Sequence, residues 1–380
     1  MRTSCLAHRW LPGGPQSAAT AAGTGAGTDP STESETEPGT DQGLGPGDGW
    51  GWLLATGHAV ELGPGLVGGT PLLERLFVRV EDRLADGLEQ LALQSASLPA
   101  SEGEALVNLM AHLGWAGAEQ GLYALGTGFR EDGTMPEGMR GLSLYRRLDA
   151  VRLVMNTETC AKASAAEPSG PDAAPDALTR SLLDALHDLG LPDVLCHASG
   201  ELRHRDVALG RSEARVLGGA PDGAAGGELR MAHLDLHAVV GALAEVHHDE
   251  RGLAWPVTCA PFAIGVLEAA GGAAAAVDMA NKLEVSLEAE GHPVLLFDGA
   301  ESPGEQRQRA EALGLPVRIV CGPTSAQGEL VVETRGGEKP ERIPIEALPA
   351  WLAAQLPAVA PLAGAGKGAS SRARRRRALY

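Results

Sequence analysis

The residues best equipped for chemistry are arginines, histidines and a few carboxylates, and their spacing separates several readings. Between Ser302 and Arg335 the chain places Arg307, Arg309, Arg318 and Arg335, with Glu311 among them. A guanidinium is a planar fork of donors that matches carboxylates and phosphates. This set therefore suits an anionic ligand, and it suits an ordinary solvated surface equally. His233 and His237 are four residues apart and would share one side of a helix. A metal there needs a third ligand, and Asp235 would fall on the other side of that helix. The cysteines, Cys5, Cys160, Cys196, Cys259 and Cys321, are odd in number and include no CxxC pair. They read as reduced thiols of a cytoplasmic protein, with neither a zinc site nor a disulfide framework. The terminal run SSRARRRRALY, with Arg372 and Arg374 to Arg377, can meet nucleic acid or acidic partners and reads more simply as a solvated end.

The elements that must hold such residues are laid out over 380 positions, enough for two or three domains. Apolar residues make up 44% of the chain but aromatics only 3%, so the cores must be built from Leu, Val, Ala and Ile. The net charge of −18 argues against a chain that grips nucleic acid non-specifically over its whole surface, while leaving room for a local basic patch. There is no run of 18 apolar residues to span a membrane, and the first residues lack the continuous apolar stretch of a secretion signal.

Residues 1–48 are rich in Gly, Ser, Thr, Pro and acid and are expected to form a disordered tail, as is the basic segment 357–380. Residues 71–94 carry Leu72, Leu73, Leu76, Val80, Leu84, Leu88 and Leu91 at three- and four-residue steps and predict a helix that starts on Pro71. Residues 122–155 read as a strand, a turn-rich loop and a second apolar segment. Residues 161–177 read as a linker, 178–190 as an amphipathic helix, 211–228 as a glycine-rich loop and 234–246 as a short apolar helix. From Pro261 strands alternate with helices: strands in 261–267, 293–297, 316–322 and 329–335, helices in 273–290, 303–313 and at the end of 345–356. That order implies a sheet with crossover connections.

The segment HHDERGLAWPVTCAPF, residues 247–262, resembles the junction between the catalytic and anticodon-binding domains of prolyl-tRNA synthetases, which runs close to HHDE-x-G-x-x-WP-x-x-x-APF. SPGEQRQRAEALGLPVRIVCG (302–322) and GELVVETRGGEKPERIPIEAL continue the resemblance over about a hundred residues, from 251 to 353. Upstream, TPLLERLFVRVEDRLADGLEQLALQSASLP is similar to the dimer-forming first motif of class II synthetases, and LYALGTGFREDGTMPEGMRG to the second. The resemblance implies an α+β class II synthetase-like antiparallel-sheet core over residues 49–250, followed by an α/β anticodon-binding-like domain over 251–356. It further implies a homodimer, with tRNA or a partner synthetase as possible partners, and ATP and magnesium as cofactors if the chain is active.

Activation of an amino acid joins its carboxylate to the α-phosphate of ATP, and fixed arginines stabilise the charge that develops. The resemblance assigns this work to Arg130, which would orient the phosphate, with Glu131 beside it and Arg140 near the next arginine of the motif. The third motif, where the family carries GIGVSRLL, reads MAHLDLHAVVGALAEV here and has no arginine. No TxE segment occurs in the 22 residues between Pro99 and Leu122, and the editing domain of bacterial members is missing. Arg146, Arg147 and Arg152 are the candidates to replace the missing phosphate ligand. In the C-terminal part the family's lysine, aromatic and aspartate positions hold Gln306, Arg307 and Arg309. Arg307, Arg309, Glu311 and Arg318 are thus the candidate tRNA-binding residues. The expectation is a synthetase-related protein with a binding or regulatory role in place of prolyl-tRNA formation. The alternative is an ATP-dependent ligase that activates a different amino acid.

Overall fold

The computed structural model describes residues 49–63, 66–96, 108–110, 112, 121–129, 144–155, 175–217, 227–268, 274–297, 301–337 and 339–356. A short helix α1 (Gly49–Ala55) leads into a hairpin of β1 (Ala59–Gly63) and β2 (Leu66–Gly69). Helix α2 (Pro71–Gln90) follows, with Pro71 at its first position, where the missing N–H costs nothing. It buries Leu73, Leu76, Phe77, Val80, Leu84 and Leu88. Each such side chain contributes about 2 kcal/mol through burial.

A seven-stranded sheet carries the first half of the chain. Its strands are β3 (Leu93–Ala96), β4 (Gly121–Phe129), β5 (Leu144–Met155), β6 (Val194–Cys196), β7 (Glu201–His204), β8 (Val207–Leu217) and β9 (Gly227–Asp235), in the order β3-β4-β5-β9-β8-β7-β6. Only β3 and β4 run parallel. Helix α3 (Ala177–Asp188) begins on Asp176, whose side chain accepts from Leu178 and Thr179 N–H. Helix α4 (Leu236–Val246) leaves β9 directly. Helices α1 to α4 pack against one sheet face, where Leu148 and Ala150 of β5 and Ala232 and Leu234 of β9 meet Leu84, Leu182 and Val239. Helix α1 crosses α4 so closely that a Cβ on Gly49 would fall 1.8 Å from the Gly241 carbonyl oxygen.

A small hairpin of β10 (His248–Asp249) and β11 (Gly252–Leu253) leads to a five-stranded sheet. Its strands are β12 (Ile264–Glu268), β13 (Val294–Leu296), β14 (Val317–Cys321), β15 (Glu329–Thr334) and β16 (Glu341–Pro344), in the order β13-β12-β14-β15-β16. The first three run parallel through crossover helices α5 (Ala274–Ala289) and α6 (Pro303–Ala312); β15 and β16 are antiparallel. Helix α7 (Leu348–Gln355) joins α5 on one face, and α6 covers part of the other. No described helix is long and apolar enough to cross a membrane.

Several sequence expectations change. The helix expected over 71–94 ends at Gln90, and Leu93–Ala96 turns into strand β3 to pair with β4. Residues 211–217, expected in a loop, continue β8, because their partners on β9 supply a full ladder. The helix expected from 234 starts at Leu236, and its first two residues belong to β9. Helix α1 and strands β1, β2, β6, β7, β9, β10 and β11 do not show in the sequence pattern, whereas β16 completes the hairpin that the resemblance implies after β15. The expected disordered tails 1–48 and 357–380, and most of the 161–177 linker, lie outside the described residues.

Candidate functional site

The sheet face opposite the helices is apolar at one end and ionic at the other. The alternation that sends Leu148 and Ala150 to the helices sends Tyr145, Arg147, Asp149, Val151 and Leu153 to this second face. Leu122, Val151, Leu153, Leu229 and Met231 gather with Met110 at the apolar end. At the other end cross-strand register lines up Asp149 of β5 with His233 of β9, and His233 with Arg211 of β8. Arg147 and Glu213 lie one step away on the same face. Tyr145 covers Gly128, whose added Cβ would stand 2.6 Å from the Tyr145 ring.

Arg147 donates from Nε and Nη2 to Asp149 Oδ1 at 3.0 and 2.7 Å. The Asp149 side chain is only 1% exposed, so this pair is shielded from water. Desolvation opposes the charge on Arg147, but its hydrogen bond to Asp149, the Asp149 charge and the Tyr145 hydroxyl raise its pKa above the ordinary arginine value. Burial, followed by the charge of Arg147, pushes His233 below the usual histidine range, with Asp149 and Glu213 pulling the other way. At neutral pH the face thus presents an uncharged imidazole beside a guanidinium whose fork is already engaged.

The start of α4 is closed by its own residues. The Asp235 carboxylate accepts from His237 and Ala238 N–H at 2.9 and 3.1 Å, filling the positive helix end. His237 Nδ1 accepts from the Arg146 N–H at 2.9 Å, and its ring stacks on Trp50 and tilts against Phe77. Eight residues of α4 are buried, and its sequence holds no arginine.

In the five-stranded sheet, Ser302 and Glu305 form a reciprocal cap on α6. Gln306 is buried, accepting from Glu268 N–H at 2.9 Å and donating to the Glu301 carbonyl at 3.0 Å. Arg307 and Arg318 both donate to Glu333, which sits opposite Arg318 in the β14–β15 ladder. Arg309 pairs with Glu301 at 2.6 Å. Glu311 reaches back to the β10–β11 hairpin, pairing with Arg251 at 2.9 Å and standing 3.9 Å from Arg335. Arg335 donates to Asp249 at 2.8 Å.

Residues 261–355 match the family model described as an anticodon binding domain. The chain is similar to the proline–tRNA ligase of Methylocella silvestris, 39% identical over 105 residues that cover 27% of this chain and 24% of that one. It is 41% identical to the Bifidobacterium adolescentis ligase over 109 residues, 28% and 18% of the two chains, and 34% identical to that of Bacillus subtilis over 116, 30% and 21%. The chain thus covers about a quarter or less of the length of these curated relatives. In fold it is similar to a solved prolyl-tRNA synthetase of Cryptosporidium parvum in complex with L-proline and AMP. The TM-score is 0.60 at 11% identity, covering 81% of this chain and 78% of that one. A second structure of that synthetase, with halofuginone and AMPPNP, gives 0.60 at 12%, covering 81% and 76%. The chain is prolyl-tRNA synthetase-like.

Within this prolyl-tRNA synthetase-like frame the residues singled out from sequence are dispersed. Arg130, Glu131 and Arg140 fall between β4 and β5, outside the described residues. Arg146 faces α2, pairing with Glu74 and Glu81 and lying 4.6 Å from the Phe77 ring centroid. Arg152 shares its side of β5 by alternation. Only Arg147 reaches the second face. The His233–His237 pair is corrected: His233 is on a strand and His237 opens a helix, so they share no helical side, and no group of metal ligands forms among the described residues. Arg307 and Arg318 meet at Glu333, while Arg309 and Glu311 point to separate partners. Asp149, Glu333, Glu301 and Asp249 were missed as partners. Strand alternation alone could have flagged Asp149 as sharing a face with Arg147.

Proposed function

We propose that this prolyl-tRNA synthetase-like protein binds or regulates tRNA, or a synthetase, and does not itself form prolyl-tRNA. The observation that carries this reading is the engagement of Arg146 and Arg147, two of the three candidate replacement phosphate ligands. Arg146 is held by two glutamates on the helix side, and Arg147 has its fork closed on buried Asp149. The helix end that could face an anion is filled by Asp235. A guanidinium committed to a protein carboxylate must break that pair before it can clamp a phosphate. On this reading residues 49–250 serve as a class II-like scaffold, residues 251–356 supply the anticodon-binding-like contact surface, and two copies join in the cytoplasm through the region of α2.

The deciding experiment is amino-acid-dependent ATP–pyrophosphate exchange with each of the twenty amino acids and magnesium. The expected result is no exchange above background, together with retained binding of tRNA or of a synthetase in a gel-shift or pull-down with purified components. Exchange with proline would overturn the reading. The ionic end of the second face, with His233 between Asp149 and Arg211, favours a second reading, an ATP-dependent ligase for a different amino acid. Exchange with another amino acid, and calorimetric binding of ATP with magnesium, would establish it.

A further inference from the structure

The lysines and arginines of residues 251–356 fall into two sets. Six of the eight are matched inside the fold, by the carboxylates of Glu311, Asp278, Glu333, Glu301 and Asp249. Two of those six, Arg318 and Arg335, are also buried, with side chains 8% and 7% exposed. Lys339 and Arg342 make up the second set. Both are exposed, and among the described residues neither meets a carboxylate. Arg342 lies on β16, the last strand in the order of the five-stranded sheet. The cations that remain for a partner are therefore at one edge of the domain, away from the arginines that Glu333 and Glu301 hold.

Past α7 the sequence adds to this set. Residues 357–380 carry Lys367, Arg372 and Arg374 to Arg377 and no acidic residue, in a chain whose net charge is −18. Five arginines in six positions repel one another, and a polyanion relieves that repulsion while releasing its own condensed counterions. A single phosphate or carboxylate can satisfy one or two such forks, so the run fits a polymer of phosphates. A membrane surface would be gripped by large apolar residues set among the charges, and Ala373 is the one residue that interrupts the arginines. Sixteen residues separate Leu356 from Arg372, about 55 Å at full extension, so the run and the β16 pair can meet the same RNA.

We propose that the chain holds RNA by phosphate contacts from Lys339, Arg342 and the basic segment 357–380, and not through the arginines paired with Glu301 and Glu333. This rests on the tRNA branch of the function proposed above and names where and how that contact is made. Phosphate contacts carry no base sequence, so tRNAs with different anticodons are held alike.

The test is fluorescence anisotropy of two labelled tRNAs, one with a proline anticodon and one without, titrated with the full chain between about 50 and about 200 mM salt. The expected slope of log affinity against log salt is about −5, the same for both tRNAs. A variant with Arg372→Gln and the same change at Arg374 to Arg377 should flatten the slope by about 4 and weaken binding about tenfold or more. Lys339→Gln with Arg342→Gln should flatten it by about 1.5. Arg307→Gln should leave it unchanged, with circular dichroism of each variant matching the parent. Poly-glutamate and phosphatidylserine vesicles, as acidic-protein and membrane probes, should bind more weakly than tRNA. An unchanged slope in the five-arginine variant would overturn the proposal, as would equal flattening by Arg307→Gln, a strong preference for the proline anticodon, or tighter binding of poly-glutamate or vesicles. Capture of a purified synthetase without tRNA binding would overturn it too, and would leave the broader reading standing; exchange with proline overturns that reading alone.

Discussion

Acidifying the protein from pH 7 to pH 5 should cost it stability through His58, and His58→Phe should remove that part of the loss. His58 sits between α1 and β1, is 1% exposed, and has its Nδ1 2.9 Å from the Thr56 hydroxyl. Its ring meets the edge of Trp255 at 5.8 Å between centroids. Desolvation lowers its pKa from 6.5 to about 3. The folded pKa is therefore the lower one, and between pH 6.5 and 3 the unfolded chain binds a proton that the folded chain does not. The stabilisation from this residue is complete above pH 6.5 and is lost progressively below it. Over the window from 6.5 to 5 the loss is about 2 kcal/mol, undiminished by screening because the ring is fully buried. His204, His233 and His247, also lowered chiefly by burial, add to the slope in the same direction. They remain in the variant, so the informative quantity is the difference between the two proteins. Urea unfolding at pH 8, 7, 6 and 5, followed by circular dichroism, gives it directly. The parent should lose about 2 kcal/mol more than His58→Phe between pH 7 and 5. Parallel pH profiles would refute the assignment of a neutral, desolvated imidazole at this position.

Two further changes probe the ion-pair and backbone claims. Glu333→Leu removes the carboxylate shared by Arg307 and Arg318 and leaves the 8%-exposed Arg318 uncompensated, so unfolding should become about 3 kcal/mol easier; adding Arg318→Met should recover most of that loss in the same melts. Gly200 turns the chain between β6 and β7 with φ +81°, and an added Cβ would stand 2.0 Å from the Ser212 carbonyl oxygen. Gly200→Ala should therefore lower stability by about 2 kcal/mol or more, read as a lower urea midpoint with unchanged slope.

The parts of the fold that show in the sequence are those with local rules. The leucine spacing and Pro71 announce α2, and the alternation of apolar runs with helices announces the five-stranded sheet. The helix expected over 303–313 is found as α6, and the structure adds its reciprocal Ser302–Glu305 cap. Strands β6 and β7 escaped notice because they are three and four residues long, too short for alternation to register. Leu93 and Gln94 continue the helical spacing of α2 but belong to a strand, because β4 offers 93–96 a pairing edge. The histidine pair failed for a related reason: a strand-to-helix switch at Asp235 falls between the two residues and removes the four-residue geometry.

What the sequence alone determined is the family resemblance and the location of the anticodon-binding-like domain, because a hundred residues in register encode a scaffold whatever its present activity. It also located the missing arginine of the α4 segment, a matter of residue type. Only the tertiary structure decided the state of the arginines that remain. Whether a guanidinium is open to a ligand depends on which carboxylate stands beside it. Asp149 follows Arg147 by two residues, but Glu333 is 15 positions beyond Arg318, and Glu74 and Glu81 lie 72 and 65 positions before Arg146. Those meetings are set by strand register and helix packing, which no local spacing specifies.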